Sequence, residues 1–319
     1  MRRVAKPEGL HNIVVEEVET PRISSTEVLV KTRRTLISRG SEIGARYTRE
    51  GPVDPAIMGY SQAGIVVEVG AGVDGYAAGD RVASVRPHAE YVVVDIDRHG
   101  GDIIPLPDGV GFETATFWPL ATSSVRWMHE SGIARGETLV ILGQGLVGSL
   151  CMQVARKLYD PRIIAVDALP LRCDLARALG ADQVVDASVD DPVEAIRGLT
   201  GEGADVVVEA VGGRGGARAF EQAQEMLKRG GLLHVLGLYE NEPLPLYSSL
   251  IQGRRLLGGY IDLGAKRESS EEAMSMLETG AIATERMITH RIPFTEAKAA
   301  FDLLYDRLPE AMAVLLTWD

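Results

Sequence analysis

Six residues, GQGLVG from Gly143 to Gly148, constrain this 319-residue chain more than any other stretch. A G-x-G-x-x-G alone says little. Here TLVIL precedes it and LVGSLCMQVARKL follows, a strand–turn–helix setting in which each glycine has a reason to be there. Gly143 permits a tight turn, Gly145 lets a phosphate approach the backbone, and Gly148 lets the helix pack closely on the strand. The first helical residues, Leu146 and Val147, then offer unpaired N–H groups to a pyrophosphate. The next apolar run, IIAVD, ends on Asp167, at the spacing of about 20 residues at which an acid meets the ribose hydroxyls of a dinucleotide. A carboxylate there repels a 2′-phosphate, so NAD(H) is expected over NADP(H), with Arg172 close enough in sequence to weaken the preference. The plainer alternative is that Asp167 only caps the helix after it.

The pattern around the loop has two halves. Before about Phe112 the apolar runs are short and β-like: Ile13 to Val18, Glu27 to Thr32, Ile65 to Val69, Arg81 to Val85 and Ala89 to Val94. Turn residues separate them, as in an all-β module, read here as a partly closed barrel. After it, helix and strand periods alternate. Helices are expected over Glu113 to Ser131 (interrupted near Pro119), Leu146 to Tyr159, Leu171 to Leu179, Val193 to Leu199 and Ala217 to Lys228. Strands are expected over Thr138 to Leu142, Arg162 to Val166, Gln183 to Val185, Val206 to Glu209 and Leu232 to Leu236. Gly180 and Gly230-Gly231 read as helix C-terminal caps. Repeated β-α-β units imply an α/β domain with a doubly wound parallel sheet.

Composition excludes several classes of function. A net charge of −12 argues against nucleic acid or an anionic membrane as partner. No apolar run reaches the roughly 18 to 20 residues needed to cross a bilayer, and the N-terminus lacks a signal-peptide core, so a cytoplasmic location is expected. The two cysteines, Cys151 and Cys173, form no CxxC pair or Cys/His cluster, which removes a structural zinc lobe; both are read as small packing residues.

Taken together, the stretches GYSQAGIVVEVG with GDRV (Gly59 to Val82), AEYVVV (Ala89 to Val94), GQGLVG, VVEAVGG (Val207 to Gly213), IQGRRLLGGYI and HRIPFTEAKAAFDLL resemble the medium-chain dehydrogenase/reductase superfamily over essentially the whole chain. The resemblance implies a GroES-like β-barrel catalytic domain, discontinuous over 1–118 and 263–319, and a Rossmann domain over 119–262. It adds Val211, Gly212 and Thr122 to the expected cofactor contacts. It also implies a homodimer paired through the IQGRRLLGGYI edge strand of the Rossmann domain.

The resemblance breaks at the metal. Zinc-type members carry Cys, His and a second Cys or Glu as ligands, and the matching positions here hold Arg39, Tyr60 and Trp118. Guanidinium and indole are no zinc ligands and a phenol is a poor one, so a metal-free site is expected. Tyr60 then becomes the candidate donor to the developing oxyanion, with Arg39 lowering its pKa and Ser41 matching the hydroxyl that relays protons in the zinc enzymes. His88 is a further catalytic candidate. Trp118, Arg46 and Arg49 are candidate substrate-pocket residues, the arginines suiting an anionic substrate. Each has a plainer reading: Tyr60 plugging the vacated pocket, Trp118 filling space, the arginines as solvated charges. The expected reaction is hydride transfer between NAD(H) and a small secondary alcohol or ketone, perhaps cyclic or polyol-like. An enoyl or quinone reductase and a non-catalytic dinucleotide sensor remain as alternatives.

Overall fold

The computed structural model describes residues 1–238, 243–259 and 266–319. The chain divides into two compact units, one of Met1–Thr122, Lys266–Gly280 and Thr284–Asp319, the other of Ser123–Ala265 and Ala281–Ala283. The boundary expected between residues 262 and 263, and the end of IQGRRLLGGYI, lie outside the described residues.

In the first unit, strand Glu27–Leu36 is the organiser. One edge pairs antiparallel with Gln62–Val69 along nearly its whole length. The other edge is shared: its first half pairs with Tyr91–Asp95 and its last residues with Ala313–Thr317. Arg81–Ser84 and Ile103–Pro105 extend the sheet beyond Gln62–Val69, and Ile288–Pro293 extends it beyond the C-terminal strand. The chain's end therefore returns to the β module, as the HRIPF to AVLLTWD stretch suggested. One apolar cluster joins Val4, Ile37, Ile43, Tyr47 and Met58 to Phe294, Phe301, Leu316 and Trp318, tying N- and C-terminal segments together. Burying each such side chain contributes roughly 1.5–3 kcal/mol.

The second unit is a six-stranded parallel sheet ordered Gln183–Asp186, Arg162–Asp167, Thr138–Leu142, Ala204–Glu209, Leu227–Val235, Arg255–Gly258. Helices Leu146–Leu158, Pro170–Ala178, Pro192–Thr200 and Gly213–Met226 make the crossovers. The central strand Thr138–Leu142 is apolar throughout because it is covered on both faces, with four of its five residues buried. Among the described residues no helix is long and apolar enough to cross a membrane.

Two expectations need correction. Gly180 does leave its helix with φ +95°, in the left-handed region where glycine carries no Cβ penalty. Gly230 and Gly231 do not cap a helix: the helix ends at Met226, and both glycines stand inside strand Leu227–Val235. The pairing there jumps from Ala204↔Leu227 to Val206↔Leu232, so Lys228 to Gly231 bulge from the ladder. The helix expected over Ala217 to Lys228 runs instead from Gly213 to Met226. A nine-residue π-helix spans Arg39–Tyr47 in the first unit.

Candidate active site

Arg39–Tyr47 carries most of the polar groups of interest in the first unit. The π-helix widens the turn to i→i+5 bonding, a geometry concentrated at functional sites. Ser38, just before it, adopts an extended conformation with φ −92° and ψ 114°. Its backbone N–H donates to Glu42 Oε1 at 2.8 Å, so the acid folds back over its own helix start. Glu42 Oε2 receives His88 Nε2 at 2.7 Å, and both side chains are fully buried. A carboxylate only accepts, so Nε2 carries the imidazole proton in this pair. Gly59 makes room for the ring: it has φ +101°, and a Cβ there would lie 2.8 Å from the His88 Cγ and Cδ2.

His88 therefore does not reach a substrate, contrary to its reading as a catalytic group. Its ring is closed in by Glu42, Gly59 and the edge of Phe301. It is a positioning residue, holding Glu42 and through it Ser38.

Tyr60 is half-buried, and its hydroxyl donates to Ser38 Oγ at 2.6 Å. Loss of hydration pushes its pKa above the ordinary 10.0, with the Glu42 charge adding to the rise; the nearby Ser38 and Ser41 hydroxyls and the charge of Arg46 oppose it without reversing it. The expected lowering does not occur, and the cation that bears on this hydroxyl is Arg46. A phenol with a raised pKa stays protonated at neutral pH and acts as a donor. Arg39 is half-buried at the helix start, and Arg49 is exposed beyond its end. Arg46 is half-buried, with Nη1 enclosed and lacking an acceptor.

Trp118 is 1% exposed and its indole N–H donates to the Ser270 carbonyl at 3.1 Å. It fills space in the interior, with its one donor engaged. Thr122, expected at the cofactor, is also buried, its hydroxyl donating to the Trp118 carbonyl one helical turn back.

In the second unit the glycine loop has the geometry its sequence demands. Gly143 has φ +87°, and its N–H donates to Val166 O at 2.8 Å. A Cβ on Gly148 would lie 1.8 Å from the Gly143 carbonyl oxygen, so helix and turn touch backbone to backbone. At Gly145 the nearest atom to an added Cβ is Arg172 Nη1 at 3.8 Å: this face of the loop is open, with Leu146 and Val147 beginning the helix beside it. Asp167 accepts from Gln144 N–H at 2.7 Å and Leu169 N–H at 2.9 Å, with Arg172 Nη1 3.8 Å away. It is not a helix cap, since Leu169 holds the N-cap position without a side-chain bond. The carboxylate ties the loop to the end of its strand and, with several lone pairs still free, has capacity for ribose hydroxyls. Across the loop, Val211 N–H donates to Glu209 Oε1 at 2.7 Å, and Gly212 turns with φ +56° ahead of the next helix. An open, Cβ-free cradle at a helix N-terminus fits a dinucleotide pyrophosphate.

Ser38 and Gln144 escaped the sequence reading. Ser38 precedes its helix as an ordinary serine, and nothing local marks it as the partner of a tyrosine 22 positions later. Gln144 is the variable residue of the glycine motif, and only its backbone N–H makes the contact to Asp167.

Zinc fits neither the donor set nor its engagements. The three positions matching zinc ligands hold a guanidinium, a phenol already bonded to Ser38 and a buried indole N–H donor. Among the described residues no three His, Cys, Asp or Glu side chains converge.

Two family models match the chain: the alcohol dehydrogenase GroES-like domain over residues 24–111 and the zinc-binding dehydrogenase over residues 147–279. A sorbitol dehydrogenase from Bombyx mori is 29% identical over 332 aligned positions, covering 92% of this chain and 93% of the relative. The alcohol dehydrogenase TADH from Thermus sp. ATN1 superposes with a TM-score of 0.86 at 27% identity, covering 99% of both chains. A protein of Sinorhizobium meliloti 1021, assigned as a zinc-binding dehydrogenase and bound to NADP, superposes with a TM-score of 0.82 at 26% identity over 99% of both chains.

Proposed function

Since the chain belongs to the medium-chain dehydrogenase/reductase superfamily, among its NAD(P)-dependent alcohol and polyol dehydrogenases, we propose that it is a zinc-independent member that interconverts a secondary alcohol and its ketone. The observation that supports this reading most is Tyr60, a protonated phenol in a network of hydroxyls at the position of a metal ligand. The Gly143–Gly148 loop and Asp167 would hold a dinucleotide, which would supply or accept the hydride. In the reducing direction the Tyr60 hydroxyl donates a hydrogen bond to the carbonyl oxygen and passes its proton as negative charge develops there. Such a donor is worth on the order of 3 kcal/mol of transition-state stabilisation. Ser38 and Ser41 then hold the phenolate oxygen until a proton returns from solvent. In the oxidising direction the steps reverse: Tyr60 first gives its proton to solvent, and the phenolate then takes the alcohol proton as the hydride leaves.

NAD(H) is the cofactor favoured, because Asp167 places a buried carboxylate at the end of the second strand. Arg172, whose own pKa is lowered by burial, keeps NADP(H) within reach. Homodimerisation would use strand Arg255–Gly258, which stands at the sheet edge with Leu256 48% exposed.

The test is titration of the chelator-treated protein with NADH and NADPH, then turnover with cyclic alcohols, polyols, ketones and enones. Metal-independent ketone reduction with tighter NADH binding supports the reading. Enone reduction alone assigns the chemistry to an activated C=C bond instead, and binding without turnover assigns a sensor.

A further inference from the structure

We propose that Arg46 receives an oxyanion carried by the substrate, so that the preferred alcohol or ketone bears a carboxylate or a phosphate group. The inference rests on the reading of Tyr60 as the proton donor and adds a substrate class to it.

Arg46 differs from the half-buried arginines that pair with acids. Arg86 pairs with Asp102 at 3.3 Å and donates to the Val93 and Val85 carbonyls. Arg156 reaches Asp160 and Asp182 at 3.0 and 2.6 Å. Arg34 pairs with Glu113 and Asp319. In a chain with 45 acidic residues, Arg46 makes no ion pair with any described carboxylate, and its buried Nη1 has no acceptor. Glu42, the one acid on its helix, is turned away: both oxygens are taken by Ser38 N–H and His88. A guanidinium enclosed without acceptors is an unmet demand for an oxygen.

Its position says which oxygen. Ser41 and Arg46 are five residues apart, one turn of the π-helix. Ser38, at the N-cap of that helix, accepts from the Tyr60 hydroxyl at 2.6 Å, and the Arg46 charge bears on the same phenol. A guanidinium presents paired donors in the fixed geometry of a carboxylate or phosphate, so it binds such a group while the carbonyl meets Tyr60. Arg49, exposed on the next turn, has no part in this.

The experiment compares secondary alcohols in matched sets, neutral, carboxylate-bearing and phosphate-bearing, on the wild type, Arg46→Ala, Arg46→Gln and Arg46→Lys. The wild type should favour one anionic set over the neutral one by at least about tenfold in kcat/KM. Arg46→Ala and Arg46→Gln should lower the anionic value about a hundredfold, mostly through KM, and the neutral value by less than threefold. Arg46→Lys should recover part of the loss, and the better of the two anionic sets identifies the group. Equal losses on neutral and anionic substrates would mean that Arg46 acts through Tyr60, and they overturn the proposal; so does an unchanged anionic KM. If no set is turned over, calorimetric titration with the phosphate- and carboxylate-bearing alcohols decides. Binding that Arg46→Ala and Arg46→Gln both abolish upholds the oxyanion site while the dehydrogenase reading fails, and no binding to wild type overturns it.

Discussion

Ser38 joins Tyr60 to the buried interior of the first unit: its hydroxyl accepts from Tyr60 at 2.6 Å while its backbone N–H donates to Glu42 at 2.8 Å. One serine thus sets the direction of the phenol and reports the state of the acid behind it. Tyr60→Phe keeps the ring and removes the donor, so kcat should fall by about 10² to 10³. Because the Tyr60 pKa lies above 10.0, its phenol gives no alkaline limb in the rate profile below that pH. An alkaline limb under pH 9 that Tyr60→Phe removes would contradict the donor role.

His88 and Glu42 form a fully buried pair, and deleting one partner strands the other. His88→Ala should cost about 3–5 kcal/mol, because the Glu42 carboxylate is left without its donor in a site water does not reach. His88→Gln restores an N–H donor and should lose less. Urea midpoints of the three proteins measure this, and a His88→Ala protein as stable as wild type would show that the pair contributes little.

The glycines of the loop separate folding from binding. Gly148→Ala drives a methyl into the Gly143 carbonyl at 1.8 Å and should destabilise the second unit itself. Gly145→Ala meets nothing closer than 3.8 Å in the free protein, so stability should hold while NADH affinity falls at least about tenfold. Thermal melting paired with fluorescence titration distinguishes them.

His234 sits in strand Leu227–Val235 with no exposed surface and, among the described residues, no hydrogen-bond partner on either ring nitrogen, and burial pushes its pKa down to about 4. Above its ordinary value of 6.5 the imidazole is neutral in folded and unfolded chains, and its contribution is fully present. Between 6.5 and about 4 only the unfolded chain takes up the proton, so stability falls as pH falls, by about 1.4 kcal/mol per unit and about 3 kcal/mol in all. His234→Leu should flatten that part of the profile. Urea unfolding at pH 7 and pH 4.5 checks the difference between the two proteins.

Much of this could be read in one dimension. Strand Thr138–Leu142 and the start of helix Leu146–Leu158 fall where the apolar run and the glycines put them, because a buried parallel strand and a phosphate-binding turn are local demands on residue type. Resemblance pointed to Tyr60 but not to its partner Ser38, 22 positions away in the chain. The bulge at Lys228 to Gly231 was not, since two glycines after a helix look the same whether they cap it or leave a ladder.

By itself, then, the sequence determined the dinucleotide loop and the two-part order of the chain, both of which depend on neighbours in the chain. The tertiary structure decided what each polar group faces. His88 meets an acid 46 positions earlier, Trp118 finds Ser270 across 152 positions, and Arg46 finds no acid among the described residues. Burial and long-range pairing set charge, protonation and access, and no local pattern encodes them.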